Sequence, residues 1–312
     1  MSPKVIVSPP VKLTATGVSV RRNTGILGEY WELTKPRLSF LSVLTAIVGY
    51  LVAHPERNFV VLTCLLLGTT SAAFGAGVIN QWLERELDGR MARTRGRPLP
   101  SGAITPGAAL AFGLALSIFG PAILYWGVNT LAAALAVATL VSYLFVYTPL
   151  KRHTPWCTLV GSIPGALPPL IGAAAAADVI KPLGWILFGI LFTWQIPHFF
   201  ALAWTYRRDY AAVRLPMSTV VDPTGRRAGR DSLLFTIALV ICSLLPVVLH
   251  LATPVYGVVA VIAGAWFLRR AWDFARASGD ERDAPAHRLF LASIAYLPLT
   301  LAVLVADRLL LG

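Results

Sequence analysis

Nine apolar stretches, each close to or above the length a helix needs to cross a hydrocarbon layer of about 30 Å, leave this chain few ways to fold. They run Leu38 to Ala53, Phe59 to Ile79, Ala108 to Tyr125, Val128 to Tyr147, Trp156 to Ala177, Leu183 to Trp204, Leu233 to Leu251, Val255 to Leu268 and Phe290 to Ala306. Inside a bilayer every backbone N–H and C=O must be bonded within the segment or to a closed neighbour, so such runs read as helices. The expected fold class is an all-α integral membrane protein with nine transmembrane helices. With 56% hydrophobic and 13% charged residues in 312, a soluble domain is excluded. The first and eighth stretches are short, and spanning there draws on flanking residues or local thinning of the bilayer.

The formal net charge of +12 does not call for nucleic acid. With nine spans and the N-terminus inside, all but Arg57, Lys181 and Arg308 of the 27 Lys and Arg residues fall on the inside, which is the positive-inside pattern. The expected location is an inner (cytoplasmic) membrane, with the N-terminus and the long loops on the cytoplasmic side and some basic charge left to attract anionic lipid or substrate. Trp31, Trp126, Trp156, Trp185, Trp204 and Trp272 lie near span ends, where indole rings anchor. Residues 1–30 are polar and lack an apolar core, so they are expected to be a mobile segment ahead of a transmembrane domain at 31–312. Cys64, Cys157 and Cys242 are isolated and read as small buried hydrophobes.

Chemistry concentrates where spans meet water. Asn80, Glu84 and Asp88 are spaced by four, so they share one helical face and can converge on a hard cation such as Mg²⁺, which completes its shell with phosphate oxygens. Arg90, Arg93, Arg95 and Arg97 follow at once, suited to the remaining charge of a diphosphate. A second cluster holds Gln195, His198, Tyr206, Arg207, Arg208, Asp209 and Tyr210. Gln195, His198, Leu202 and Tyr206 lie near one stripe, and a polar group inside a span is expected to face the bundle interior. His198 is either a substrate or haem contact or a hydrogen-bonded core residue beside Pro197. Asp209 either completes a metal shell or pairs with Arg207, Arg208 or Arg214. Lys35 with Arg37, and Tyr147 with Lys151 and Arg152, mark two further cationic span ends. The two acid-bearing loops follow spans two and six, a weak pseudo-repeat that would set them face to face at the mouth of a bundle.

The stretches LTKPRLSF (33–40), NQWLERELDGRMARTRGRPLPSG (80–102), VYTPLKRH (146–153), TLVGSIPGALPPLIG (158–172) and WQIPHFFALAWTYRRDY (194–210) resemble the UbiA superfamily of intramembrane prenyltransferases, and within it the branch that farnesylates haem. The resemblance runs in order from about Tyr30 to the C-terminus. Quinone-forming relatives typically carry a second pair of aspartates spaced by four; here Tyr206, Asp209 and Tyr210 follow the haem-type pattern. The resemblance implies a nine-helix bundle around a central cavity open to lipid and capped by two long loops. It implies farnesyl diphosphate as donor, haem b (protoheme IX) as acceptor at its 2-vinyl group, water addition to give haem O, and Mg²⁺ assisting diphosphate departure. Haem-modifying or oxidase-assembly proteins are the partners it suggests. Asn80, Glu84, Asp88 and Asp209 are then assigned to metal and diphosphate, with Tyr206 beside them. Lys35, Arg37, Arg93, Arg97, Lys151 and Arg208 are assigned to diphosphate oxygens, and His198 to substrate. Transfer to an aromatic quinone precursor, or transport of an anionic solute, are the competing readings. The segment Val213 to Pro216 and the Arg-rich run from Gly225 to Arg230 depart from the usual pattern of the second cap loop.

Overall fold

The computed structural model describes residues 25–53 and 58–311, and among these it contains helices and turns but no strand. In chain order the helices are α1 (Gly25–Leu33), α2 (Pro36–Ala53), α3 (Phe59–Arg90), α4 (Pro106–Gly127), α5 (Thr130–Val141), α6 (Thr148–Leu150), α7 (Cys157–Ala166), α8 (Pro168–Ala177) and α9 (Pro182–Thr205). They continue as α10 (Arg207–Ala212), α11 (Ser218–Val221), α12 (Arg226–Val248), α13 (Pro254–Arg276) and α14 (Asp283–Leu310). Among the described residues nine helical segments are long and apolar enough to cross a membrane, in register with the nine stretches read from the sequence. The short first and eighth stretches are completed by flanking residues, as Pro36–Ala53 and Pro254–Arg276.

Three helices run further than hydropathy alone indicates. α3 has 32 residues, about 48 Å at 1.5 Å per residue, well beyond a roughly 30 Å hydrocarbon layer. Its last turns, which carry Asn80, Glu84 and Asp88, therefore project past the apolar run that ended at Ile79. α13 likewise extends from Leu268 to Arg276, and α14 starts at Asp283. The connections between spans are thus partly helical, while residues 91–105 between α3 and α4 form turns. Within the segment expected to be mobile, residues 25–30 belong to helix α1, and Tyr30 packs edge-on against Phe112 at 5.1 Å. The rest of the expected mobile segment, residues 1–24, lies outside the described residues.

Small residues bring backbones together where lipid provides no hydrophobic drive. A Cβ on Gly172 would lie 1.8 Å from the Ala46 carbonyl oxygen, and one on Gly49 2.1 Å from that of Pro169, so α2 and α8 pack backbone to backbone. Prolines break helices in defined places: Pro168 separates α7 from α8 within span five, and Pro149 follows a π-turn, Ser142–Tyr147. Without an N–H, Pro149 cannot continue an α ladder, and the wider turn accommodates it.

Arg282 is almost fully buried, stacks on Trp204 and Phe274, and donates to the Gly225 and Ala277 carbonyls. The Trp204 indole N–H donates to Asp283 at 2.7 Å, and Arg207 pairs with the same carboxylate at 2.9 Å. The second cap loop, residues 206–225, is thereby pinned to the α13–α14 turn.

Candidate active site

The end of α3 is the scaffold. Asn80, Glu84 and Asp88 lie on one face and are all buried; each is met by a cation from a different segment. The Lys35 ammonium donates to Asn80 Oδ1 at 2.5 Å, Lys151 to Glu84 Oε1 at 3.1 Å, and Arg97 Nη1 to Asp88 Oδ2 at 2.6 Å. Asn80 also donates from Nδ2 to Thr148 Oγ1 at 3.1 Å.

Local structure explains how each cation arrives. The α1–α2 turn rests on Gly77, where a Cβ would come 2.9 Å from the Thr34 carbonyl oxygen, and Gln81 Nε2 bonds the Leu33 carbonyl at 2.9 Å. Lys35 takes a left-handed conformation, φ 49°, which aims it at α3 and which a non-glycine residue adopts only at a cost. Arg97 is carried by successive turns: Thr94 Oγ1 bonds the Asp88 carbonyl at 2.8 Å, and Arg97 N bonds that of Thr94 at 3.0 Å. Lys151 keeps a helical bond to the Tyr147 carbonyl, 3.0 Å, despite Pro149. Tyr143 and Tyr147 stack at 5.5 Å on the π-turn.

Charge in this nest is uneven: three cations face two carboxylates and an amide. Burial, and then the neighbouring Arg97 charge, pull the Lys35 ammonium down to about 8 against the opposing pull of Glu84. Lys151 is also penalised by burial, but Glu84, followed by weaker contributions from its neighbours, outweighs this and holds Lys151 above its ordinary value. An excess positive charge held half out of water favours an anion.

Among the described residues no group of three or more His, Cys, Asp or Glu side chains converges. The donor set is two carboxylates and one amide oxygen, an incomplete cage. It fits Mg²⁺, which keeps coordination positions for water and phosphate rather than taking an all-protein shell.

The second loop meets the first as the pseudo-repeat indicates. Arg93 stacks over the Tyr206 ring at 5.1 Å, and Leu87 packs with Tyr147, Tyr210, Leu215 and Met217 beside the buried Cys157. Other expected residues are not gathered in. Arg37 and Arg208 are exposed, and Asp209 is half-buried with no ion pair to a described residue. His198 faces away: its Nδ1 is 2.7 Å from Ser293 Oγ and its ring stacks on Trp194 and Phe290. It therefore lies between α9 and α14 rather than on the Gln195 stripe, the hydrogen-bonded core alternative. Gln195 turns instead to α7, bonding the Leu191 and Ser162 carbonyls. Thr148, Tyr143 and Gln81 were not read from the sequence as part of the site. Pro149 was the available signal for the first two, since it forces an irregular turn.

Residues 42–294 match the UbiA prenyltransferase family. A protoheme IX farnesyltransferase of Opitutus terrae is 50% identical over 283 residues, 91% of this chain and 95% of that protein. One of Solibacter usitatus is 44% identical over 290 residues, 90% and 98%. Among solved structures, a digeranylgeranylglyceryl phosphate synthase superposes with a TM-score of 0.78 at 18% identity, covering 91% of this chain and 99% of that one. An Archaeoglobus fulgidus UbiA homolog bound to GPP and Mg²⁺ gives 0.62 at 16% identity, covering 88% and 99%. These last two speak to the fold.

Proposed function

The chain belongs to the UbiA prenyltransferase family, and on that premise we propose that it transfers the farnesyl group of farnesyl diphosphate to the 2-vinyl group of haem b, with addition of water, giving haem O. The observation that carries this is the cation-ringed face of Asn80, Glu84 and Asp88, in a chain 50% identical over 283 residues to a relative named protoheme IX farnesyltransferase. The Mg²⁺ found with a prenyl diphosphate in the Archaeoglobus homolog supports a divalent cation here.

In this reading Asn80, Glu84 and Asp88 hold the cation, which supplies Lewis-acid stabilisation of the leaving diphosphate. Lys35, Lys151 and Arg97 release their α3 partners and turn to phosphate oxygens, so positive charge is already in place when the C–O bond breaks. Arg93 extends that field from the first cap loop, stacked on Tyr206, and Arg37 and Arg208 attract the anion from the exposed rim. Asp209, half-buried in the second cap loop, would contribute a further carboxylate toward the cation. The apolar and aromatic wall beneath, with Tyr143 and Tyr147, limits capture of the allylic cation by stray water. The cluster faces the cytoplasm of an inner membrane by the distribution of Lys and Arg, and oxidase-assembly or haem-modifying proteins receive the product.

The test is incubation of the purified protein with haem b, a hydroxylated aromatic acid as competing acceptor, farnesyl diphosphate and Mg²⁺, followed by mass analysis. Haem O is the expected product. A prenylated aromatic acid formed from the same donor, with haem b untouched, would overturn the reading in favour of quinone-precursor chemistry.

A further inference from the structure

Forming haem O requires a water molecule to reach a cation formed inside an apolar bundle, and the Gln195 side chain offers such a water an acceptor. Gln195 lies within α9 and is 6% exposed. Both its polar contacts are to carbonyls, Leu191 at 2.9 Å and Ser162 at 3.4 Å; only the NH₂ group can donate to these, so the side-chain orientation is settled. Oε1 is left pointing over Gly165, where a Cβ would stand only 2.0 Å from it. No described residue donates a hydrogen bond to that oxygen. The absent Cβ at Gly165 lets the carboxamide lie against α7, and its carbonyl oxygen, with no donor among the described residues, keeps accessible surface at which a water can bond.

Its position along the reaction path follows from α7. Lys151 sits at the diphosphate end. Tyr147, one turn earlier, lays its ring on Gly161, where a Cβ would come within 2.6 Å of it. Gln195 Oε1 sits over Gly165, one further turn or about 6 Å into the membrane. The order Lys151, Tyr147, Gln195 therefore runs from the diphosphate toward the bundle interior. C1 of the prenyl chain is one ester oxygen from the diphosphate, and the carbon that takes up water lies two bonds beyond C1.

We propose, on the basis of the haem-farnesylating reading, that Gln195 Oε1 accepts a hydrogen bond from the attacking water and delivers that water to the second vinyl carbon. The C1–O bond breaks with its electron pair going to diphosphate. The vinyl π-electrons bond the terminal vinyl carbon to C1, leaving a cation on the carbon attached to the porphyrin. The oxygen of the held water bonds that cation, and the surplus proton leaves to released diphosphate or solvent. Without the held water the same cation loses a proton from the adjacent CH₂, and the product is a farnesylated alkene lighter than haem O by one water molecule.

Two variants test this through the ratio of products, which is read from whatever fraction of the protein folds. Gln195→Leu removes the acceptor. Gly165→Ala leaves Gln195 in place and drives its oxygen from the site. With haem b, farnesyl diphosphate and Mg²⁺, both are expected to raise the alkene-to-haem O ratio by roughly tenfold to a hundredfold over the unaltered protein, the scale on which displaced reactants lose rate. Haem O as the sole product of either variant, at full or reduced turnover, would overturn the proposal and leave Gln195 a packing residue. Failure of the unaltered protein to make haem O would instead overturn the activity on which the proposal rests.

Discussion

Lys151 donates to Glu84 across 3.1 Å, joining the turn after span four to the end of span two. A pair this enclosed would be a poor way to gain stability alone, since desolvation offsets much of the attraction. Its value is that both partners are preplaced for other ligands: Glu84 for a cation, Lys151 for a phosphate oxygen. The same holds for Asp88 with Arg97 and Asn80 with Lys35.

Asp88→Asn should lower turnover by at least about a hundredfold with the fold retained, because it removes ligand charge needed most as diphosphate departs. Glu84→Gln should behave alike, and Glu84→Asp more mildly, its charge kept but its oxygens displaced. Steady-state kinetics on protein with an unchanged melting profile checks this; near-normal turnover of Asp88→Asn would remove the metal assignment.

His198→Ala should lower thermal stability while changing KM for haem and for farnesyl diphosphate equally little. The imidazole is bonded to Ser293 and stacked between Trp194 and Phe290, so its loss opens a gap between α9 and α14, costing about 2–4 kcal/mol. A selective rise in the haem constant, with an unaltered melting temperature, would return His198 to the substrate site.

Gly172→Ala should be strongly destabilising, by about 2–3 kcal/mol or more, since the new Cβ meets the Ala46 carbonyl oxygen at 1.8 Å and backbone must shift. Gly107→Ala is the control: nothing lies within 4 Å of its Cβ, and alanine favours the helix. Thermal unfolding in detergent should separate the two, and equal melting temperatures would refute the α2–α8 contact.

Arg282→Met should free the second cap loop. It removes donors to Gly225 and Ala277 and the stacking on Trp204; Gly225 keeps only its bond from Gly229 N–H, and the Ala277 carbonyl loses this donor at a cost of about 1–3 kcal/mol. Limited proteolysis should cut between residues 206 and 225 faster than in the unaltered protein; an unchanged rate would show that the loop is held elsewhere.

The spans, the α3 face and the pairing of the two cap loops were legible before any coordinates. Apolar length and the spacing of Asn80, Glu84 and Asp88 are local properties, and the period of a helix converts them directly into a membrane crossing and a shared face. The cationic character of Lys35, Lys151 and Arg97 was legible for the same reason, as charge at span ends.

What only the tertiary structure decided is which groups meet. Lys35 reaches Asn80 across 45 positions of sequence and Lys151 reaches Glu84 across 67, distances over which periodicity carries no information. His198 and Gln195 show the limit most clearly. Three residues apart on one helix, they are separated by about 60° of rotation, close enough to share a stripe on paper. α14 stands against one and α7 against the other, so packing sends the imidazole to Ser293 and the carboxamide to Gly165. A helix sequence specifies the angles between its side chains; the neighbours that fill those angles are specified by the other helices of the bundle.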